Sequence, residues 1–445
     1  MFNEETIRVW DVEDPSWTAT INNGSGGMGK IVNAEFGRTK MEVLVFSDFG
    51  SKMTIWSLTT GRHVEIRDPK YSSSRGHEYR KKLGIFVLLT RPGAQDMLSL
   101  HAPNSYKVLK SVALPTMDVQ GMKWSPDENW VAVWDTSSMG QKVYIYTADG
   151  NLYRSYTGTD DFGIGSSGIR TVEWSTAGQY LAIGGTDRRV TLLSTQTFSP
   201  VIYLDHTATI QLSEGGQIWQ EQVTGASKRS YQAIPQPYAP PTSSVSGHTG
   251  PTRSGISTIS FNSSGTMAAT KDDSTPTAVW IWNLSSRVAS TIIIHHSPVR
   301  QLAWHPNRPE LLLINCALDE VVLHMWNCNK MEPEVTPLSS HKTIGKLDIR
   351  WLGNCSATGT AILISDNQKA LVVWPEGKHM STRSKRQAED GDESLDSVYE
   401  ALVGQSAKKE EPIDSTELLV SSIAEDISDT VEDTFIGRKQ FELVT

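Results

Sequence analysis

Short β-branched and apolar runs that close on tryptophan recur along the chain. The clearest are Ile7-Arg8-Val9-Trp10-Asp11, Met53-Thr54-Ile55-Trp56, Ala278-Val279-Trp280-Ile281-Trp282-Asn283, Leu323-His324-Met325-Trp326 and Leu371-Val372-Val373-Trp374. Weaker members span 97–100, 143–146 and 190–193. Upstream of most of them lies a second kind of run, which ends on an aromatic residue followed by turn chemistry. Residues 119–124 precede Ser125-Pro126-Asp127, 169–174 precede Ser175, 256–261 precede Asn262-Ser263-Ser264-Gly265, and 299–304 precede His305-Pro306. Residues 32–36 and 346–351 belong to the same kind, and after such a turn comes a small apolar run such as Tyr180-Leu181-Ala182-Ile183-Gly184-Gly185. Apolar alternation broken by turn residues, with no helical period in this part of the chain, predicts an all-β fold.

The spacing of these runs narrows the architecture. Their closing positions 10, 56, 100, 146, 193, 282, 326 and 374 are separated by 46, 44, 46, 47, 89, 44 and 48 residues. All but one interval sit near the ~40–45-residue period of a four-stranded propeller blade. Each unit reads as strands a, b, c and d with a Trp-Asp-like pair closing c, which is the WD-repeat pattern. A lone blade leaves sheet faces exposed that radial packing against its neighbours buries. The tryptophans are therefore read as packing residues. Asp48, Asp187, Asp273 and Asp366, in the b–c turns, are expected to orient buried polar networks rather than to act as catalytic acids.

Seven a-b-c units begin near Val32, Leu83, Val119, Ile169, Ile256, Val299 and Lys346. An orphan c strand at 7–11 and a d strand at 17–21 precede them, while no d strand follows Trp374. The N-terminal d strand is expected to complete the last of seven blades, which leaves the c segment unpaired and implies missing upstream repeats. The 89-residue interval is read as an insertion at 205–254, because Pro235, Pro237, Pro240, Pro241 and Pro251 cannot donate ladder hydrogen bonds. Short strands are expected within it at 210–212 and 217–223. The organisation expected is a WD-repeat β-propeller over 1–379 and an acidic, mostly disordered tail over 380–445.

Composition locates the charge and removes several classes. The 445 residues include 14 tryptophans and carry a formal net charge of −9. Residues 380–445 hold 16 Asp and Glu against seven Lys and Arg, so the first 379 residues are balanced at 34 of each. A neutral body without a concentrated basic patch argues against nucleic acid as a partner. Cys316, Cys328 and Cys355 lack the paired spacing of zinc motifs and are too few for a disulfide framework. The start Met-Phe-Asn-Glu-Glu has no signal-peptide pattern, and no stretch approaches 18 apolar residues. An intracellular protein off the membrane is the expectation, and the sequons at Asn23, Asn262, Asn283 and Asn354 are read as chance matches.

Several motifs fail on context. Gly24–Gly29 and Gly163–Gly168 match a dinucleotide fingerprint, but each precedes a strand, and phosphate binding there needs a helix N-terminus. His295-His296, His305, His324 and His341 show no metal-ligand spacing, and no P-loop or nucleophile elbow occurs. No enzyme activity, cofactor or metal is expected. Asp187-Arg188-Arg189-Val190 falls short of the Phe-Arg-Arg-Gly of phosphoinositide-binding propellers. Trp10-Asp11-Val12-Glu13 and Trp134-Asp135-Thr136-Ser137 lack the arginine of cullin-ligase receptors. Two segments are candidate docking elements. The insertion carries Trp219, Tyr231 and Tyr238, the aromatic type that dominates interface hot spots, with folding onto its own blade as the competing reading. In the tail, Leu419, Ile423, Ile427, Val431 and Phe435 recur every fourth residue, the stripe of a helix that folds on docking.

Three stretches resemble the centrosomal and spindle-pole-body family known as WD-repeat protein eight. They are Trp130-Val131-Ala132-Val133-Trp134-Asp135-Thr136 leading to Tyr144-Ile145-Tyr146-Thr147-Ala148-Asp149-Gly150, then Gly168-Ile169-Arg170-Thr171-Val172-Glu173-Trp174-Ser175, and the Ala268-Ala269-Thr270-Lys271-Asp272-Asp273 and Ala278-Val279-Trp280-Ile281-Trp282 pair with Ser297-Pro298-Val299-Arg300. The similarity runs from about Ile7 to Trp374 and lacks the family's further N-terminal repeats. The resemblance implies a scaffold at the spindle pole body or centrosome, working with a coiled-coil microtubule-anchoring protein and a kinesin-14 motor. A generic WD-repeat adaptor of another complex, in RNA processing or ubiquitin transfer, is the alternative. If the tail stripe docks, a chain ending before Glu417 loses its polar foci in mitotic cells, and unchanged localisation removes the tail from the docking surface.

Overall fold

The b and c runs of each repeat are buried along nearly their whole length, because both faces of these strands are covered. Glu42–Ser47 and Lys52–Ser57 show this in the first blade, where Leu44, Phe46, Met53 and Trp56 are enclosed. Outer strands alternate instead. In Pro200–Asp205, Ile202 and Leu204 are buried while Val201 and Tyr203 face solvent. In this computed structural model the described residues are 5–375, apart from 12–13, 15, 23–29, 49–51, 159–166, 225–227, 243–253, 319, 331, 343–346, 353–359 and 367–369, together with 420–422 and 439–444.

The chain forms two compact units, Met1–Lys342 with Asp429–Thr445, and Thr343–Ser428. In the first unit, antiparallel a-b-c-d sheets cover residues 31–67, 77–113, 121–156 and 169–205 (blades 1 to 4), and 256–294 and 299–342 (blades 5 and 6). The a strands of blades 2 to 6 touch one another in succession. Tryptophans at the ends of two a strands tie neighbours together: Trp174 Nε1 donates to Lys123 O (3.1 Å) and Trp304 Nε1 to Ser260 O (2.9 Å). The a–b turns approach as closely. Gly265 closes the turn after Phe261 with φ +69°, and a Cβ there would meet Ala177 of blade 4 at 2.7 Å.

Two sequence expectations are corrected. Blade 2 starts at His77–Arg80, and Leu83 is an exposed residue of the turn before Ile85–Thr90. Arg80 and Gly84, with φ +70°, close that turn by a Gly84 N–H to Arg80 O bond. The N-terminal d strand does not close the last blade. Thr6–Trp10 and Trp17–Asn22 pair antiparallel with each other, and Trp17–Asn22 pairs in parallel with Lys439–Val444 as a separate three-stranded sheet. In the second unit, Asp348–Leu352, Ala361–Ser365 and Ala370–Val373 form blade 7, whose fourth strand is Val420–Ser422 from the tail. The N-terminal c segment expected to be unpaired thus has a partner, as an outer strand of the three-stranded sheet.

The insertion is not an eighth blade. Gln217–Thr224 and Lys228–Ile234 form a hairpin, and Gln217–Thr224 pairs in parallel with the blade 5 outer strand Val288–Ile294, giving a six-stranded sheet. Instead of a strand at 210–212, Ile210 makes an isolated bridge to Tyr238.

Phe86 concentrates the packing of blade 2, with ring contacts to His77, Tyr79, His101 and Tyr106 at 4.8–6.0 Å. Phe86→Ala is expected to cost about 3–5 kcal/mol, measured by urea unfolding of the full chain; a loss under ~1 kcal/mol contradicts this packing.

Candidate functional site

The insertion departs from blade 4 and returns to blade 5 between two anchors held by one strand, Met267–Asp272. Before it, His206 Nε2 shares a 2.7 Å hydrogen bond with the Thr270 hydroxyl, which also accepts the Trp282 indole N–H at 2.7 Å. His206 stacks on Trp280 at 4.7 Å, and Trp280 stacks on Trp282 at 5.4 Å. After it, the Gly255 N–H donates to Asp272 Oδ1 (3.2 Å), a carboxylate that also accepts Ser274 N–H, Ser274 Oγ–H and Arg188 Nε–H. Asp272 is fully buried; burial opposes its charge, yet the Ser274 bonds and Arg188 hold its carboxyl below the usual range. Burial, with the Arg188 charge, lowers His206 to about 3, so the ring is neutral.

This network uses Asp272 where the sequence reading chose Asp273. Neighbouring strand residues point to opposite faces, and Asp273 is partly exposed, bonded to Arg170 (2.8 Å) and Ser257 (2.6 Å). Asp187 accepts its own turn's Arg189 N–H at 3.3 Å. Two buried aspartates also escaped the reading. Asp96 accepts Lys70 Nζ (2.7 Å), Thr116 Oγ1 (2.9 Å) and Val119 N (2.6 Å), while Asp135 accepts Met117 N (3.0 Å) and Asp118 N (2.9 Å). Together they fix the connection from blade 2 to blade 3. The Trp134-Asp135 pair was the available signal, since its aspartate follows a strand end.

The insertion hairpin places its aromatics mostly inward. Tyr231 is buried, with its hydroxyl 2.9 Å from His295 Nδ1, and is closed to an external partner. Trp219 and Tyr238 are half-buried, Trp219 against the blade 5–6 core and Tyr238 against the blade 4–5 core. Beneath the hairpin, Glu221 Oε1 accepts Arg229 Nη1 (2.8 Å) and lies 3.2 Å from His324 Nε2; its Oε2 accepts the His296 N–H (2.8 Å). Burial opposes ionisation of Glu221, but the His324 bond, the His296 N–H and Arg229 outweigh it and hold the carboxyl well below its usual range. Cys316 is buried beside this group, and His295, Cys316 and His324 place three ligand atoms within 4.8 Å of one another. The sequence showed no metal spacing because these residues come from three separate segments.

Leu419, Ile423, Ile427, Val431 and Phe435 lie outside the described residues; Val420–Ser422, between the first two, is β-strand. A cavity of about 630 Å³ opens along the a strands of blades 2 to 4, lined by Glu78, Lys81, Lys123, Trp124, Glu173 and Trp174. Lys123 pairs with Glu173, and Glu78 Oε2 accepts the Trp124 N–H (2.9 Å) while burial raises its carboxyl. These groups bind one strand to the next. Gly168 donates to Thr186 Oγ1 and leads into the strand Ile169–Trp174, so no helix terminus follows this glycine run; Gly24–Gly29 lies outside the described residues. Arg188 and Arg189 of the Arg-Arg pair are held by Asp272 and Asp205.

Blades of this kind, with tryptophan-rich c strands and buried Asp–His–Thr–Trp ties, define a WD-repeat β-propeller protein. The mouse WD repeat-containing protein WRAP73 is 28% identical over 334 residues, covering 70% of each chain. The uncharacterized WD repeat-containing protein C32H8.09 of Schizosaccharomyces pombe is 27% identical over 414 residues, 90% of this chain and 80% of its own. No family model matches. Among solved structures, KlHsv2 with loop 6CD replaced by a Gly-Ser linker aligns with a TM-score of 0.42 and 13% identity, over 77% of this chain and 92% of that one. The chain is thus similar to WD repeat-containing proteins over most of its length, which supports a generic scaffold or adaptor role.

His206 and His295 are both lowered to about 3, in each case chiefly by burial. The unfolded rings protonate near pH 6.5, so stability is complete above that value and falls as the pH drops toward 3. Each ring steepens the fall by up to about 1.4 kcal/mol per pH unit. Urea midpoints across this window are expected to decline, less steeply for His206→Gln; a flat profile contradicts neutral buried rings.

Proposed function

We infer that this protein is a non-catalytic scaffold of the spindle pole body or centrosome. It joins a coiled-coil microtubule-anchoring protein to a kinesin-14 motor. The observation that carries this reading is the resemblance spanning Ile7 to Trp374, above all the Ala-Val-Trp-x-Trp strand at 278–282 with the long insertion before it. Two WD-repeat relatives aligned over 70% and 90% of this chain support the extent of that likeness.

Exposed apolar groups on the outer strands support this reading. Outer strands of successive blades leave large apolar side chains in solvent: Val108 and Leu109 on blade 2, Leu152 and Tyr153 on blade 3, Val201 and Tyr203 on blade 4. Lys110 Nζ donates to Asn151 Oδ1 (2.6 Å), so the first two of these edges adjoin. Apolar groups on adjoining open edges suit an elongated helical partner better than a small ligand.

Tagged protein is expected at two foci in mitotic cells, and its pull-down is expected to recover a coiled-coil protein with a kinesin-14. Leu109→Glu combined with Leu152→Glu is expected to lower that recovery at least tenfold, about 1.4 kcal/mol or more, with an unchanged unfolding midpoint. Diffuse or nucleolar signal rejects the spindle-pole reading and favours an adaptor of another complex.

A further inference from the structure

His295 follows the outer strand of blade 5, Cys316 ends the second strand of blade 6, and His324 lies in its third strand. All three side chains are buried, and one ring nitrogen from each histidine and Cys316 Sγ fall within 4.8 Å of one another. The hydrogen bonds around them decide what those atoms offer. Nε2 of His324 lies 3.2 Å from the Glu221 carboxylate oxygen Oε1 and is engaged there. Nδ1 of His324 has no hydrogen-bond partner. In His295, Nδ1 is bonded to the Tyr231 hydroxyl and stands 4.0 Å from Glu221 Oε2, which favours the proton there. That leaves Nε2 of His295, again without a partner.

Two buried ring nitrogens without hydrogen-bond partners, beside a buried thiol, carry a desolvation cost that a cation removes. We propose that His295, Cys316 and His324 form a zinc site. Two neutral imidazoles and a thiolate are a donor set zinc takes, and a carboxylate behind a ligating histidine is the usual outer support. Glu221 supplies that support to His324, and Tyr231 supplies it to His295. Zinc takes nitrogen at about 2.0 Å and sulfur at about 2.3 Å, which three atoms within 4.8 Å of one another can reach around one ion. The Cys316 thiol gives up its proton to solvent as the metal binds. The metal links blade 5 to blade 6, and through Glu221 and Tyr231 it fastens both strands of the insertion hairpin.

Elemental analysis of the purified full-length protein is expected to find about one zinc per chain. Cys316→Ala is expected to lose it, while Cys328→Ser, at a cysteine outside the cluster, retains it. Cobalt added to zinc-stripped protein is expected to give a thiolate-to-cobalt charge-transfer band, which needs no variant to be read. Wild-type protein that holds no zinc and gives no band overturns the proposal, as does Cys316→Ala protein with undiminished zinc.

Discussion

Burial of both faces of the b and c strands is the constraint on which the rest of this protein depends. A blade whose middle strands are covered on each side cannot use water to satisfy polar side chains in them. Many positions are therefore apolar, as at Leu181, Ala182 and Ile183, and several of the polar residues that remain are held by partners inside. Thr270, Asp272, Glu221 and His324 are held in this way, and each sits where two chain segments must be held together. The polar networks are thus placed by the same packing that excludes solvent.

The insertion follows from that logic. Its ends are fixed to Thr270 and Asp272, and its hairpin extends the blade 5 sheet through the otherwise open edge of Val288–Ile294. An uncovered edge strand invites unwanted pairing, so covering it with the chain's own hairpin protects the sheet. The same act brings Glu221 and Tyr231 over His295 and His324, turning a surface loop into part of the interior. The aromatics that suggested partner anchors are the ones that make this docking apolar.

Adaptor function and a packed interior divide the molecule between them. Middle strands are buried, whereas outer strands expose side chains such as Leu109, Tyr153 and Tyr203. A repeat built this way varies its outer edges without disturbing the faces between blades.

The local pattern determined the strand inventory, because alternation, aromatic strand ends and turn residues act within a few residues of each other. Blade positions, the c strands and the presence of an insertion were legible for that reason, as was the packing role of Trp56, Trp174 and Trp326. Legibility stopped where a choice depended on distant chain. A one-residue difference in which aspartate turns inward separated Asp272 from Asp273. Pairing of Trp17–Asn22 with Lys439–Val444, and of Ala370–Val373 with Val420–Ser422, joins segments that no local period connects. The meeting of His295, Cys316, His324 and Glu221 is of the same kind: four residues with no motif between them, brought within reach by sheet packing alone.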